Sequence, residues 1–178
     1  MAGHSKWANI KHKKAVVDAK RGKLFTKHAK NIQVQSRLAG GDENSPGLRA
    51  AIDAAKKDSV PKENIQRAID KGAGVGGEAI EQITYEAYGP GGVAMIIISL
   101  TDNRNRAAAE VRHILSKHGL ELAKAGAAMW AFTSDDGGQT YSPSTTVDLS
   151  DEDQTKLDKV LEALEESDEV DEVFTTAA

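Results

Sequence analysis

The 178-residue sequence contains no cysteine, which excludes disulfide bonds, thiol catalysis and zinc sites with cysteine ligands. It also lacks a long apolar run, since the longest, Val93-Ala94-Met95-Ile96-Ile97-Ile98, is far too short to span a bilayer. The basic N-terminus is not followed by the apolar segment of a signal peptide. We therefore expect a soluble, cytoplasmic protein that does not associate with membranes.

The sequence motifs that usually accompany catalysis are missing as well. There is no P-loop lysine motif, no H-E-x-x-H and no G-x-S-x-G. The five histidines show no recognised metal-ligand spacing. The acidic residues around Glu165 and Asp168 are typical of a solvated helix end rather than an acid–base pair in a dry cleft. We predict a non-enzymatic protein without a metal site or a cofactor.

Positive charge is concentrated at one end of the chain. Residues 1–72 carry 16 Lys and Arg against 7 Asp and Glu, whereas residues 73–178 carry 7 against 20. A charge balance that inverts at one point predicts two modules with different partners.

Apolar spacing predicts a basic arm and three helices in residues 1–72. We expect a mobile arm over residues 1–15 and a first helix from about Lys20 to Ala39, ended by Gly40-Gly41. Ser45-Pro46 is a typical helix start, and Pro61 is predicted to open a third helix that Gly72 closes. The predicted buried faces are Leu24, Phe25, Ile32 and Leu38; Leu48, Ala51, Ile52 and Ala55; and Ile65, Ala68 and Ile69.

A glycine-rich stretch follows the third helix. Gly72, Gly74 and Gly77 match the pattern G-x-G-x-x-G. The nucleotide-binding form of that pattern has a strand before it and a helix after it, whereas here a helix precedes and a strand follows. We therefore predict a flexible linker over residues 73–77.

Residues 78–178 are predicted to form a second, α+β domain. Alternating and apolar runs predict strands near residues 83–87, 93–100, 127–132, 145–149 and 170–175. Helices are predicted over 104–118 and from Ser150 onward, with a hairpin turn at Gly89–Gly92 and a polar loop at 133–143. This ββαβ-βαβ order favours a two-layer sandwich with the helices on one face.

The basic segment is the strongest functional signal. Nine Lys and Arg residues oppose one acid, Asp18, within the first thirty residues, and an aromatic residue and histidines are interleaved with them. Such a patch binds phosphates by releasing condensed counterions, and an exposed aromatic ring can stack on a base. The predicted nucleic-acid contacts are Lys6, Trp7, Asn9, Lys11, His12, Lys13, Lys14, Lys20, Arg21, Lys23, Lys27 and Lys30. Arg104, Asn105 and Arg106, at a predicted helix start, are either a second contact or ordinary surface residues.

Five stretches of the sequence carry a family resemblance. They are Met1–Lys14 (MAGHSKWANIKHKK), Lys20–Lys27 (KRGKLFTK), Pro61–Ile69 (PKENIQRAI), Tyr85–Gly92 (YEAYGPGG) and Thr101–Arg106 (TDNRNR). In this order they resemble the YebC family. The resemblance implies probable transcriptional regulators, with mitochondrial relatives that activate translation of cytochrome oxidase subunits and bacterial members linked to the ribosome. It also implies a helical first domain that bears the basic surface. Members of the family usually carry a third α/β domain, and at the corresponding place this chain has only the loop at about 133–143.

Three functions stay open from the sequence. The first is a transcriptional regulator that grips DNA through the basic N-terminal domain, with any specificity coming from shape or from Trp7 and Asn9. The second is a translational activator that binds ribosomal RNA on the ribosome through the same residues. The third is an adaptor whose acidic second domain binds a protein.

Overall fold

The computed structural model describes the backbone of residues 3–75 and 79–178, and the side chains of residues 17–75 and 79–178. The chain divides into two compact units, Met1–Ala79 and Ile80–Ala178, called unit 1 and unit 2 below. Gly76 and Gly77 of the predicted linker lie outside the described residues.

The described residues of unit 1 form three helices: α1 (Gly3–Leu38), α2 (Pro46–Lys57) and α3 (Lys62–Gly72). The prediction of a mobile arm is wrong for residues 3–15, because they belong to the same helix as the residues that follow. No glycine or proline interrupts residues 4–21, and alanine and lysine favour helix there. Gly40 and Gly41 adopt φ values of 60° and 82° and end α1 as predicted.

The core of unit 1 lies where the three helices meet. All the residues predicted to be buried on α2 and α3 are buried. On α1 the prediction is half wrong, because Ile32 is fully buried and Phe25 packs against the core, whereas Leu24 and Leu38 are 40% and 72% exposed. The side of α1 that packs against the core also includes Ala29 and Ser36. Because alanine is small and serine is polar, the spacing of large apolar residues does not identify them.

Helices α1 and α3 are in very close contact at Gly72. A Cβ atom at this position would lie 2.4 Å from the carbonyl oxygen of Gln33 and 2.6 Å from the Cβ of Ser36. The Ser36 hydroxyl also donates a 2.6 Å hydrogen bond to the carbonyl oxygen of Ile69. Position 72 is glycine because the backbones of α1 and α3 approach each other too closely here for any side chain.

Unit 2 is a mixed α+β unit, as predicted. Its elements are β1 (Glu81–Tyr88), β2 (Ala94–Thr101), α4 (Arg104–Lys117), β3 (Phe132–Thr133), β4 (Ser142–Pro143), α5 (Asp151–Glu165) and β5 (Glu172–Thr175). Strands β1, β2 and β5 form an antiparallel sheet with β2 in the centre, and β3 pairs separately with β4. The turn at Gly89–Gly92 joins β1 to β2 as predicted.

Every residue of the central strand β2 is buried. On one face, Met95 and Ile97 belong to a core that includes the apolar sides of α4 and α5. On the other face, Ile96 and Ile98 pack with Ala131 and Phe132. The helices thus cover one face, and the segment around residues 128–132 covers the other.

Two predicted strands are wrong. In the segment 127–132, residues Met129–Ala131 form a 3₁₀ turn and only Phe132 is in a strand. In the segment 145–149, Val147 makes a single bridge to Ala177 and no strand forms. Both segments have the apolar content of strands, but tertiary hydrogen bonds engage their backbones instead.

Side-chain caps begin both helices of unit 2. The Asn103 side chain accepts a 3.0 Å hydrogen bond from the backbone N–H of Arg106 and begins α4. The Ser150 hydroxyl accepts one of 3.1 Å from the N–H of Asp153 and begins α5. Both bonds satisfy an amide that has no partner within its own helix.

Candidate nucleic-acid interface

Four of the predicted contact residues lie along one side of α1. At 100° per residue, Lys20, Lys23, Lys27 and Lys30 fall within an arc of about 80° and span about 15 Å of helix. Lys20 is exposed and the other three are half-buried, each with a further interaction inside the chain. We call these four residues the basic face of α1.

The basic face points away from the core of unit 1. Phe25, Ala29, Ile32 and Ser36 define the packed side of α1, and the basic face is centred about 170° around the helix from them. Burial of the apolar stripe therefore fixes the lysines on the outer side. Arg21 is exposed but lies outside this arc, closer to the packed side.

The other predicted contacts are in the first half of α1. The side chains of Lys6, Trp7, Asn9, Lys11, His12, Lys13 and Lys14 lie outside the described residues. Their backbone is helical and continuous with that of the basic face. Their part in binding stays a prediction.

His28 attaches α1 to the end of α2. Its Nε2 lies 2.6 Å from Oδ2 of Asp58, the residue that caps α2 at its C-terminal end. The His28 side chain is only 13% exposed. This contact holds the middle of α1 against the C-terminal end of α2.

A groove between α1 and α3 adds residues that the sequence did not predict as contacts. Its volume is about 290 Å³, and we call it the α1–α3 groove. Its lining consists of Phe25, Thr26, Ala29 and Gln33 from α1 and Asn64, Arg67, Ala68 and Lys71 from α3. Arg67 and Lys71 were not predicted as contacts because the acidic residues Glu63 and Asp70 alternate with them along the chain. Their i, i+4 spacing was the available signal.

Two arginines of unit 2, Arg104 and Arg106, are paired with carboxylates. Arg104 donates two hydrogen bonds of 2.6 Å to Glu81 on β1. Arg106 donates one of 2.6 Å to Glu169 and one of 2.7 Å to Asp102. Hydrogen bonds to Glu81 and to Glu169, respectively, raise the pKa of both guanidinium groups. These pairs tie α4 to the sheet and reduce the charge offered to a phosphate, and nucleic-acid contact by Arg104, Asn105 and Arg106 stays a prediction.

A buried carboxylate organises the segment that covers the second face of the sheet. Glu86 on β1 accepts hydrogen bonds from the N–H groups of Gly126, Ala128 and Met129 at 2.6, 2.7 and 2.8 Å. Burial raises the pKa of Glu86, but these three hydrogen bonds together outweigh burial and leave the pKa below its ordinary value. The alternation of apolar and polar residues along β1 did not indicate that Glu86 accepts these hydrogen bonds.

Two aromatic side chains lie on the surface next to that segment. The indole N–H of Trp130 donates to the hydroxyl oxygen of Tyr88 at 3.0 Å and to the carbonyl oxygen of Ala127 at 2.9 Å. Trp130 is 67% exposed. The hydrogen bonds hold this ring in one orientation although most of it faces solvent.

Within residues 17–75 and 79–178, no group of three His, Asp or Glu side chains is placed to hold a metal ion. Across the same part of the chain, no helix combines the length and apolar character required to cross a membrane.

Two family models match the sequence. The model for the TACO1/YebC protein N-terminal domain matches residues 5–75. The model for the TACO1/YebC second and third domain matches residues 80–136. The two matches cover all the residues of the basic face and of the α1–α3 groove, and Glu86 with its hydrogen-bond donors.

Similar proteins of known sequence share a description. A protein of Carboxydothermus hydrogenoformans is 40% identical, over 98% of this chain and 97% of its own length. One of Burkholderia mallei is 41% identical over 99% and 98%. One of Desulfitobacterium hafniense is 57% identical over 75% of this chain and 54% of its own length. Each is named a probable transcriptional regulatory protein.

The similarity extends to a solved structure. A conserved hypothetical protein from Aquifex aeolicus superposes with a TM-score of 0.83 and 34% sequence identity. The superposition covers 91% of this chain and 92% of that protein.

This chain is shorter than the Carboxydothermus protein. The alignment with the Carboxydothermus protein runs over 237 positions, whereas this chain has 178 residues, so at least 59 aligned positions are filled only in the relative.

Proposed function

The chain belongs to the TACO1/YebC family, and on that basis we propose that it is a regulator of gene expression that binds nucleic acid through the basic face of α1. Because its relatives are named probable transcriptional regulatory proteins, DNA is the first candidate partner.

The observation that carries this proposal is the position of the basic face. Its four lysines are arranged along about 15 Å of one helix, a length that corresponds to about four phosphates of each strand when measured along the axis of a duplex, at about 3.4 Å each. The packing of Phe25 and Ile32 holds this face outward. A rigid row of cations matches a regular row of phosphates without further ordering of the backbone.

The same geometry argues against reading a base sequence. Lysines bind phosphates as point charges, and phosphate contacts fix position without carrying sequence information. We therefore expect binding that depends strongly on salt and weakly on sequence. Contact through about five phosphates gives a slope of log K against log salt of about −4 to −5.

Ribosomal RNA is the second candidate partner, because lysines bind the phosphates of RNA and DNA alike. In that case the protein acts in translation rather than transcription. An adaptor that binds a protein through acidic unit 2 is a third possibility, and its affinity would change little with salt.

The test measures binding of fluorescent 20-base-pair DNA and RNA duplexes by anisotropy between 50 and 300 mM salt. The first variant carries Lys20→Gln, Lys23→Gln and Lys27→Gln on the basic face. The control removes the same charge elsewhere in unit 1 through Lys56→Gln, Lys57→Gln and Lys62→Gln, all exposed residues of α2 and α3.

We expect the first variant to lower the salt slope by about 3 and the control to change it by less than 1. Failure of the wild-type protein to bind either duplex at 50 mM salt would overturn the proposal, and equal effects of the two variants would remove the basic face as its cause. Crosslinking in cells, followed by sequencing of bound DNA and RNA, decides between promoter DNA and ribosomal RNA.

A further inference from the structure

Two of the sequence stretches that carry the family resemblance meet at one place in unit 1. Lys20–Lys27 supplies Phe25 and Thr26, and Pro61–Ile69 supplies Asn64 and Arg67, to the lining of the α1–α3 groove. A surface that bound only phosphates would need neither the aromatic ring of Phe25 nor the hydroxyl and amide groups of Thr26 and Asn64. We propose that the α1–α3 groove binds one unpaired nucleotide of a single-stranded nucleic acid, an inference that rests on the proposed function.

The described lining contains the three kinds of group that a nucleotide needs. Phe25, with Ala29 and Ala68, offers an apolar surface on which a base can stack. Gln33 and Asn64 offer amide groups that both donate and accept hydrogen bonds at base edges, and the Thr26 hydroxyl, which donates its proton to the carbonyl oxygen of Gly22 at 3.0 Å, offers an acceptor. Arg67 and Lys71 provide positive charge for the phosphate, and no acidic residue is among the described lining.

The size of the groove favours a single nucleotide. Its volume of about 290 Å³ lies just below the range of about 300–1,000 Å³ for small-molecule sites. A base pair in a duplex keeps its faces stacked and its pairing edges occupied, so it presents neither to this lining. A flipped or single-stranded base presents both.

The groove is formed before any ligand arrives. The contact of Gly72 with the backbone of Gln33 and the hydrogen bond from Ser36 to Ile69 hold α3 against α1. Phe25 packs against the core of unit 1, which restricts its ring. Binding here therefore costs little ordering of the protein.

The groove also borders the basic face. Around α1, Thr26 and Gln33 lie between the packed side and the lysines, about 40–60° from Lys30. A strand whose phosphates follow the lysines passes the opening of the groove, so one of its bases can enter while the backbone stays on the basic face.

The experiment compares single strands with duplexes on the full chain. The probes are fluorescein-labelled 12-nucleotide RNA and DNA of one mixed sequence, each alone and paired with its complement. Arg67→Gln with Lys71→Gln removes two charges from the groove. Arg49→Gln with Lys56→Gln removes two from exposed positions on α2 outside the described groove lining and is the matched control.

We expect the groove variant to bind single strands about tenfold more weakly than the control, and duplexes equally well. If the wild-type protein binds nucleic acid but the two variants are indistinguishable on single strands, the groove proposal is overturned and the proposed function stands. If the wild-type protein binds none of the four probes, both fail. Comparison of the RNA and DNA arms identifies which single strand the groove prefers.

Stacking is tested by Phe25→Leu, which keeps an apolar side chain in the core while removing the ring. Phe174→Leu, at a partly buried site in unit 2, is the control. We expect Phe25→Leu to weaken single-strand binding about fivefold or more and Phe174→Leu to leave it unchanged. Unaltered single-strand affinity in Phe25→Leu, with an unaltered circular-dichroism melt, contradicts a stacked base.

Discussion

The carboxylate of Glu86 accepts a 2.7 Å hydrogen bond from the backbone N–H of Ala128, and thereby attaches β1 to a segment that follows α4. The N–H groups of Gly126 and Met129 share the same carboxylate. Ala128 and its neighbours cover one face of the sheet, so a charged side chain here stabilises an apolar core.

Replacing Glu86 with glutamine is expected to destabilise the protein by about 1–3 kcal/mol. The amide side chain accepts fewer hydrogen bonds and places its own N–H₂ group near backbone donors. Urea unfolding followed by circular dichroism measures the change, with Glu110→Gln, at an exposed site on α4, as the control. A Glu86 variant as stable as the control would show that the three hydrogen bonds contribute little.

The stabilisation by Glu86 is expected to depend on pH. Its pKa in the folded protein lies below the ordinary value of 4.5. The contribution is therefore complete above about pH 5.5 and is lost as the pH falls through the lower, folded value. The difference in unfolding free energy between wild type and Glu86→Gln, measured from pH 7 to pH 3, should be constant at first and then shrink. A difference that grows on acidification would contradict the lowered pKa.

Removing the charge of Arg106 is expected to lower the melting temperature more than removing that of Arg104. Arg106 pairs with Glu169, whose side chain is 11% exposed and whose Oε2 accepts no hydrogen bond from the described residues. Arg104 pairs with Glu81, which is 33% exposed. Arg106→Gln leaves a poorly hydrated carboxylate without a cation, so adding Glu169→Gln should recover part of the loss in a thermal melt. An unrecovered double variant would assign the loss to packing instead.

A methyl group at position 72 is expected to destabilise unit 1. Gly72→Ala places a Cβ within 2.4 Å of the Gln33 carbonyl oxygen, and relieving that contact costs about 1–3 kcal/mol. Gly22→Ala is the matched control, because a Cβ there meets nothing within 4 Å and stabilises the helix by up to about 1 kcal/mol. The two substitutions should shift the urea midpoint in opposite directions, and equal shifts would contradict the close helix contact.

Neutralising Lys11, Lys13 and Lys14 together is expected to weaken binding to DNA and RNA of every sequence by a similar factor. These lysines precede the basic face on the same helix and are predicted to contact phosphates. Anisotropy titrations at 100 mM salt measure the effect. Unchanged affinity for both nucleic acids would remove these three lysines from the binding surface.

Most of the secondary structure was predictable because local and tertiary preferences agree. The apolar spacing of Leu48, Ile52 and Ala55 and the cap at Ser150 each favour the element that forms. In the segment around Met129 the two preferences disagree. Its composition favours a strand, whereas the carboxylate of Glu86, some forty residues earlier, accepts hydrogen bonds from its backbone N–H groups. No window of sequence around Met129 contains that information.

The candidate site was predictable to the extent that it depends on composition. A run with nine cations and one acid identifies α1, whatever its conformation. Arg67 and Lys71 were missed because the acidic residues Glu63 and Asp70 cancel them in any linear count. Their common side becomes visible only once α3 lies against α1.

The short pairing of β3 with β4 has a consequence for the evolution of this family. Thr133 faces Ser142 across the pair, so the eight residues between them depart and return at neighbouring points. A folded module whose own termini are close together can replace those residues while both strands keep their places. Lineages that gained or lost such a module there would retain the same central strand and the same lysine-bearing helix, so the size of the protein can change while both of these elements are kept.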